Sequence, residues 1–205
     1  MSLSLPFVLD LCERTLLFLI FGWLCFRILT HMNGEWGIID LWLLGSEGAA
    51  TFFVLTHRFT DNVTLRVGDW ILTLIAAYFP LLVVPSASPA LFPIAICAAL
   101  MAAGSLLQVM AKLTLRRSFG LAPANRGVKV GGPYRLLRHP MYAGYLMTHI
   151  AFFSVHPNPW NLVLYLTAFI AQCFRLLAEE RVLSADSAYQ EFMKSTRWRL
   201  IPYIF

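Results

Sequence analysis

Residues 131–145, GGPYRLLRHPMYAGY, gather most of the side chains in this chain that could bind a polar ligand. Gly131 and Gly132 free the backbone, whereas Pro133 and Pro140 fix φ and push the preceding residue into an extended conformation. The polar and aromatic side chains of this stiff segment are those of Tyr134, Arg138, His139 and Tyr142. They suit a polar, aromatic small molecule. The same composition suits an anchor at a membrane boundary, and composition alone does not separate the two interpretations.

A second group of polar residues, in FRLLAEERVL, ends the last apolar stretch of the chain. Arg175 and Glu179 are four residues apart and share one face of a helix, whereas Glu180 points about 100° away from Glu179. Two adjacent carboxylates can hold a cation, or accept hydrogen bonds from an amine or from sugar hydroxyls. An ordinary solvated helix end is the alternative, although negative charge near a helix C-terminus opposes the helix dipole.

Outside these two stretches the patterns that could do chemistry are weaker. Glu47 lies in the apolar sequence LLGSEGAATFF, where small neighbours would let another helix approach, and both a buried structural carboxyl and a substrate contact are open. The spacing of His139, His149 and His156 does not place two metal ligands on one helix face, and no HExxH, GxSxG, GxGxxG or P-loop motif occurs. The sequence therefore predicts neither a metal site nor a serine nucleophile.

The composition places these residues in a membrane protein. Of the 205 residues, 59% are hydrophobic and 13% charged, with a mean hydropathy of +0.67. Soluble domains are about half apolar and about a quarter charged. Several apolar runs exceed the roughly 18 residues that a membrane-spanning helix needs. We therefore predict an all-α, polytopic membrane protein.

Six apolar segments are predicted. They cover roughly residues 7–30, 36–56, 68–86, 90–112, 142–156 and 159–178. The fifth, of about 15 residues, is too short to cross a hydrocarbon core about 30 Å thick, and the turn sequence HPNPWN joins it to the sixth. The last two segments are therefore expected to form a closely packed helical hairpin, which brings the first polar segment beside Glu179 and Glu180.

Basic residues separate the loops into two sets. The loops HMNGE, SASP and HPNPWN contain no Lys or Arg, whereas residues 112–138 contain seven and the C-terminal tail contains more. The positive-inside rule then places both termini and the 112–140 loop in the cytoplasm, and the net charge of +5 reflects this topology rather than a nucleic-acid partner. One membrane domain over 1–205 is expected, with four membrane helices in 1–112 and the loop, hairpin and C-terminal cap of the binding site in 113–205.

The sequence VKVGGPYRLLRHPMYAGY, followed along the chain by EERVL and AYQEFMKSTRWRLIP, resembles the isoprenylcysteine carboxyl methyltransferase family and its phospholipid methyltransferase relatives. The resemblance covers roughly residues 115–205. It implies an integral-membrane methyltransferase that binds S-adenosylmethionine at the cytoplasmic face, between the loop before the hairpin and the end of the last membrane helix. A lipophilic small molecule or lipid is the implied methyl acceptor.

The resemblance also implies roles for individual residues. Its cofactor contacts fall on Val130, Gly132, Pro133, Tyr134, Arg138, His139, Tyr142, Glu179, Glu180 and Tyr189, with Phe192 closing the lid. Beyond the resemblance, Arg175 and Glu179 are the expected catalytic residues. Arg175 would orient an acceptor carboxylate, and an ion pair with Glu179 is the alternative role for Arg175. An amine or thiol acceptor needs a base to remove a proton, which Glu47 or one of the glutamate pair would supply. Residues 118–127, SFGLAPANRG, depart from the histidine-containing stretch of the carboxyl methyltransferases and leave the acceptor open.

Two other functions stay open at the level of sequence. A membrane ene or sterol-type reductase shares a similar C-terminal architecture, and the basic loop residues would meet the 2′-phosphate of its NADPH. A transporter or accessory membrane protein is the non-enzymatic alternative. Transporters tend to show paired broken helices in two halves, and the sequence has no such symmetry.

Overall fold

The computed structural model describes residues 4–31, 48 and 51–205, and these residues are helical without a regular strand. The α-helices in this part of the chain are α1 Leu5–His31, α2 Val67–Tyr78, α3 Ile94–Leu115, α4 Pro140–Val155, α5 Pro159–Leu183 and α6 Ser187–Ser195. Short 3₁₀ turns lie at Phe79–Leu82, Arg116–Ser118 and Gly132–Arg135, and residues 51–55 are also helical. The predicted all-α fold class is confirmed.

Two of the described helices are long and apolar enough to cross a membrane. They are Ile94–Ser118, which is α3 with its 3₁₀ extension, and α5, with mean hydropathies of 2.1 and 1.5. The apolar stretch Val67–Leu82 is shorter, and α2 ends at Tyr78 because Pro80 cannot donate a helical hydrogen bond. Membrane-spanning length is therefore established for two helices and not for the six predicted segments, the second of which lies mostly outside the described residues.

The turn between α4 and α5 forms where it was predicted. The side chain of Asn158 caps α5 by accepting a hydrogen bond from the N–H of Asn161 at 2.8 Å. The Asn161 side chain in turn donates to the carbonyls of Val84 and His156, at 2.8 and 3.0 Å. These bonds fix the turn against the segment that follows α2.

The prediction of a closely packed hairpin is wrong, because α4 packs chiefly on α3 and α5 packs chiefly on α2. Glycines allow α3 and α4 to approach: a Cβ on Gly144 would lie 2.6 Å from the carbonyl oxygen of Gly104. Between α4 and α5, large side chains meet instead. The rings of His149 and Tyr165 stack with centroids 4.7 Å apart, and a small pocket lies beside them.

Three connecting segments meet at one end of the helices. Residues 56–66 pair with residues 116–125 through backbone hydrogen bonds of 2.9–3.0 Å. The C-terminal segment 196–200 runs beside the start of α4, where the N–H groups of Arg138 and His139 donate to its carbonyls at 2.8 and 2.9 Å. The turn between α4 and α5 lies at the opposite end. The basic loops are thus gathered together, and the end of α5 is brought to them.

Candidate functional site

An open cleft with an empty volume of about 690 Å³ lies at the end of the bundle where these segments meet. The walls come from the loop after α3, the start of α4, the end of α5 and helix α6. Six of the ten predicted cofactor residues line it: Tyr134, Arg138, His139, Tyr142, Glu179 and Tyr189, and Phe192 lies beside them.

The other predicted cofactor residues, Val130, Gly132, Pro133 and Glu180, do not line the cleft. Val130 is 55% exposed, whereas Pro133 is buried in the 3₁₀ turn that directs Tyr134 inward. Gly132 has φ +54°, and a Cβ there would lie 2.7 Å from the hydroxyl of Thr114. Only glycine fits this position, so in the structure Gly132 shapes the turn.

Glu179 presents its carboxylate to the cleft. One of its oxygens accepts a hydrogen bond of 2.6 Å from the hydroxyl of Tyr142, and its side chain is 30% exposed. The ring of Tyr142 stacks on that of His139 with centroids 5.4 Å apart and an interplanar angle of 11°. Glu179 therefore keeps acceptor capacity for a ligand, on a wall that two stacked rings hold in place.

Glu180 lies behind the same wall, bonded to two guanidinium groups and to the ring of His139. Its Oε1 lies 3.0 Å from Nη1 of Arg138 and 3.3 Å from Nε2 of His139, and its Oε2 accepts from Nε of Arg199 at 2.9 Å. Only 7% of Glu180 is exposed. The carboxylate thus ties the start of α4 and the C-terminal segment to the end of α5.

Arg175 is buried beneath Tyr142 and does not line the cleft. Its guanidinium carbon lies 5.1 Å from the centroid of the Tyr142 ring, and its Nη2 donates to the carbonyl of Leu121 at 2.6 Å. Within the described residues it forms no ion pair with Glu179, its neighbour one helical turn away. Its predicted contact with an acceptor stays a prediction, and Glu47, the other candidate substrate residue, lies outside the described residues.

Three buried donors on the cleft walls lack a partner in the described part of the chain. They are the hydroxyl of Tyr189 and the Nε groups of Arg126 and Arg138. Burial, and next the charge of the nearby carboxylate Glu180, raises the pKa of Tyr189, so its hydroxyl stays a protonated donor at neutral pH. A buried donor without an acceptor costs about 1–3 kcal/mol. The cleft is therefore suited to a ligand that brings acceptor atoms.

The loop after α3, which was predicted to enclose the site, lines the cleft with residues that were not predicted. Gly120, Ala122, Arg126 and Lys129 all line the cleft. A Cβ on Gly120 would collide with the guanidinium of Arg126, so this glycine lets the arginine lie across the loop. The sequence SFGLAPANRG could have indicated these residues, because Gly120 and Pro123 interrupt the basic stretch before Arg126.

The family model for phospholipid methyltransferases matches residues 92–190. The matched segment runs from the start of α3 into α6 and contains every lining residue of the cleft except Phe192. Residues 92–190 are thus similar to phospholipid methyltransferases. The resemblance predicted from the sequence motifs is thereby confirmed, and the family suggests a membrane-associated methyltransferase with a lipid-type substrate. No curated protein matches this chain.

Proposed function

We propose that this chain transfers a methyl group from S-adenosylmethionine to a lipophilic acceptor at a membrane surface. One observation carries the proposal: the cleft in the family-matched segment combines a carboxylate with unpartnered donors. Glu179 lines the cleft together with Arg126, Arg138 and Tyr189, and the Nε groups of the two arginines and the Tyr189 hydroxyl have no partner among the described residues. A zwitterionic ligand with hydroxyl groups matches this mixture of acceptors and donors.

The residues of the cleft fit the parts of this cofactor. Glu179 would accept hydrogen bonds from the ribose hydroxyls or the ammonium group, and Arg126 or Arg138 would bind the carboxylate. Tyr189 and Phe192, whose ring centroids are 5.7 Å apart, would pack against the adenine. When bound, the cofactor supplies a methyl group that its sulfonium releases as an acceptor lone pair attacks, leaving S-adenosylhomocysteine.

The chain's own contribution is to position the reactants and exclude water. Tyr189 and Phe192 of α6 form the covering wall, and the Asp186 carboxylate fastens the start of this helix to Asn125 at 2.8 Å. Arg175 supports the site from behind through the Tyr142 ring. A carboxylate acceptor needs no base, whereas an amine or thiol would lose its proton to one. Glu179 is the carboxylate among the residues that line the cleft.

We also propose a multi-pass topology with the cleft on the cytoplasmic side. The basic loops and the C-terminal segment meet at the cleft end of the helices, whereas the turn between α4 and α5, which has no Lys or Arg, lies at the other end. The positive-inside rule favours this orientation. The acceptor class, whether carboxylate, amine or thiol, is not distinguished by the cleft.

Calorimetry on the detergent-purified protein tests the cofactor. S-adenosylhomocysteine and NADPH are titrated separately, and we expect binding of the first and none of the second. Binding of NADPH alone would replace the methyltransferase with the reductase alternative. In native membranes, the labelled methyl group of S-adenosylmethionine should appear in organic-extractable product, and an absence of label there despite cofactor binding would refute a lipophilic acceptor.

A further inference from the structure

Glu13 of α1 lies far outside the family-matched segment, yet its carboxylate reaches the wall of the cleft. Only 1% of Glu13 is exposed. Its Oε2 lies 3.0 Å from Nη2 of Arg126, and its Oε1 accepts from the N–H groups of Leu121 and Ala122 at 2.5 and 3.4 Å. One buried side chain therefore binds three groups of the segment 118–127, which we name the cleft loop.

Arg126 closes the cleft loop on itself. Its Nη1 donates to the carbonyl of Ala122 at 3.3 Å, and its own carbonyl accepts from the hydroxyl of Ser118 at 2.9 Å. From the opposite side, Arg175 donates to the carbonyl of Leu121 at 2.6 Å. The peptide groups of Leu121 are thus held between a carboxylate of α1 and a guanidinium of α5.

The cost of burying a carboxylate makes Glu13 important to the position of this loop. A buried carboxylate is tolerated only when it is paired and hydrogen-bonded, and among the described residues the hydrogen-bond and ion-pair partners of Glu13 all belong to the cleft loop. Beyond the 3₁₀ turn at Arg116–Ser118 the cleft loop has no helix of its own. Side-chain contacts therefore decide where Gly120, Ala122 and Arg126 lie along the cleft wall.

We propose that Glu13 is a positioning residue, through which α1 holds the cleft loop and the Arg126 guanidinium in the ligand-binding conformation. The identity of the ligand rests on the proposed function, whereas the ordering of the loop does not. The N-terminal helix is then part of the binding machinery rather than only a membrane element.

Hydrogen–deuterium exchange tests the ordering directly. In Glu13→Ala the amides of the cleft loop should exchange faster than in the wild type, while exchange within α3 stays unchanged. Glu13→Gln keeps the size of the side chain and one acceptor oxygen, so it should show a smaller increase. The matched control is Asp10→Asn on the same helix, whose carboxylate contacts Arg14 and His57 rather than the cleft loop. It should leave cleft-loop exchange at the wild-type rate.

Binding of S-adenosylhomocysteine, measured by calorimetry, tests the consequence. We expect Glu13→Gln to raise Kd by about tenfold, the effect of one lost charge-assisted bond, and Asp10→Asn to leave it within about twofold. In an Arg126→Gln background, Glu13→Gln should add little, because both changes remove the same ion pair. Additive effects of Glu13→Gln and Arg126→Gln on Kd, or a general rise in amide exchange that includes α3, would show that Glu13 only stabilises the fold. Either result would overturn the proposal.

The two proposals fail in different ways. Wild-type protein that does not bind S-adenosylhomocysteine defeats the proposed cofactor, yet faster exchange confined to the cleft loop of Glu13→Ala still supports the positioning role. Wild-type binding together with unchanged cleft-loop exchange in both Glu13 variants overturns the positioning role alone. If Glu13→Ala does not fold, Glu13→Gln decides the matter by the same measurements.

Discussion

Glu179 and Glu180 are adjacent, yet the structure predicts different effects for their replacement by glutamine. Glu180 is buried, with its oxygens 3.0 and 2.9 Å from the guanidinium groups of Arg138 and Arg199. Glu179 is partly exposed and, among the described residues, accepts one hydrogen bond, from Tyr142. Glu180→Gln should therefore lower stability, whereas Glu179→Gln should mainly lower ligand affinity.

The magnitude follows from the burial of each pair. Removing one partner of a buried ion pair costs about 3–5 kcal/mol, and an exposed pair contributes about 0.2–1 kcal/mol. The side chain of Arg138 is 9% exposed and that of Arg199 is 33% exposed, so only the first pair counts as buried. Since glutamine retains one acceptor oxygen, we expect Glu180→Gln to lower the free energy of unfolding by about 2–3 kcal/mol. For Glu179→Gln the loss should be about 0.5–1 kcal/mol.

Thermal unfolding in detergent, followed by tryptophan fluorescence, measures the difference. For a chain of this size 1 kcal/mol shifts Tm by about 2–4 °C, so Glu180→Gln should lower Tm by roughly 4–12 °C and Glu179→Gln by no more than about 4 °C. Calorimetry below both transitions should show S-adenosylhomocysteine affinity weakened by about tenfold or more in Glu179→Gln. Equal Tm shifts in the two variants, or a Glu180→Gln protein as stable as the wild type, would refute the division of roles.

Two further predictions concern helix packing and pH. Gly144→Ala places a Cβ 2.6 Å from the carbonyl of Gly104 and should lower the free energy of unfolding by about 1–3 kcal/mol. The control Gly22→Ala, whose Cβ would have nothing within 4 Å, should leave Tm nearly unchanged. Equal Tm values for the two variants would contradict the close approach of α3 and α4. A hydrogen bond from Asn125, and next one from a backbone N–H of α6, hold the pKa of Asp186 below its ordinary 3.8. The charged Asp186 side chain therefore stabilises the folded protein above the ordinary pKa of 3.8, and this stabilisation is lost as the pH falls through the lower pKa of the folded state. The Tm advantage of the wild type over Asp186→Asn should accordingly shrink between about pH 6 and about pH 3. A pH-independent difference would show that the charge of Asp186 does not contribute.

Local signals predicted where several helices begin and end, but not which helices pack together. Pro140 and Pro159 stand at the first turns of α4 and α5, where a missing N–H costs nothing. The short turn between these helices suggested close packing of the two. Their partners are decided instead by shape: Gly144 lets α3 approach α4, whereas His149 and Tyr165 keep α5 at a distance.

The candidate site was predictable where its residues are contiguous in sequence. Arg138, His139 and Tyr142 fall within one motif, and their side chains reach the cleft together. The wall built by the cleft loop depends on Glu13, which is 108 residues from Leu121, and no spacing rule connects them. A signal did exist, because a carboxylate within an apolar segment is costly and marks a functional position by default. Glu47 was predicted to be a substrate residue on this ground, whereas Glu13, which also lies in an apolar segment, was not predicted to contribute to the site.

Arg175 shows what helix periodicity cannot decide. Its spacing from Glu179 places both residues on one face of α5 and allows an ion pair, yet Arg175 donates to the carbonyl of Leu121 instead. That carbonyl sits in a buried loop and would lose a hydrogen bond without the guanidinium, whereas Glu179 has both the Tyr142 hydroxyl and solvent. Because an unsatisfied buried acceptor costs more than an exposed one, the loop takes the arginine. Glu179 is left with its acceptor capacity facing the cleft, the condition that a ligand with ribose hydroxyls or an ammonium group requires.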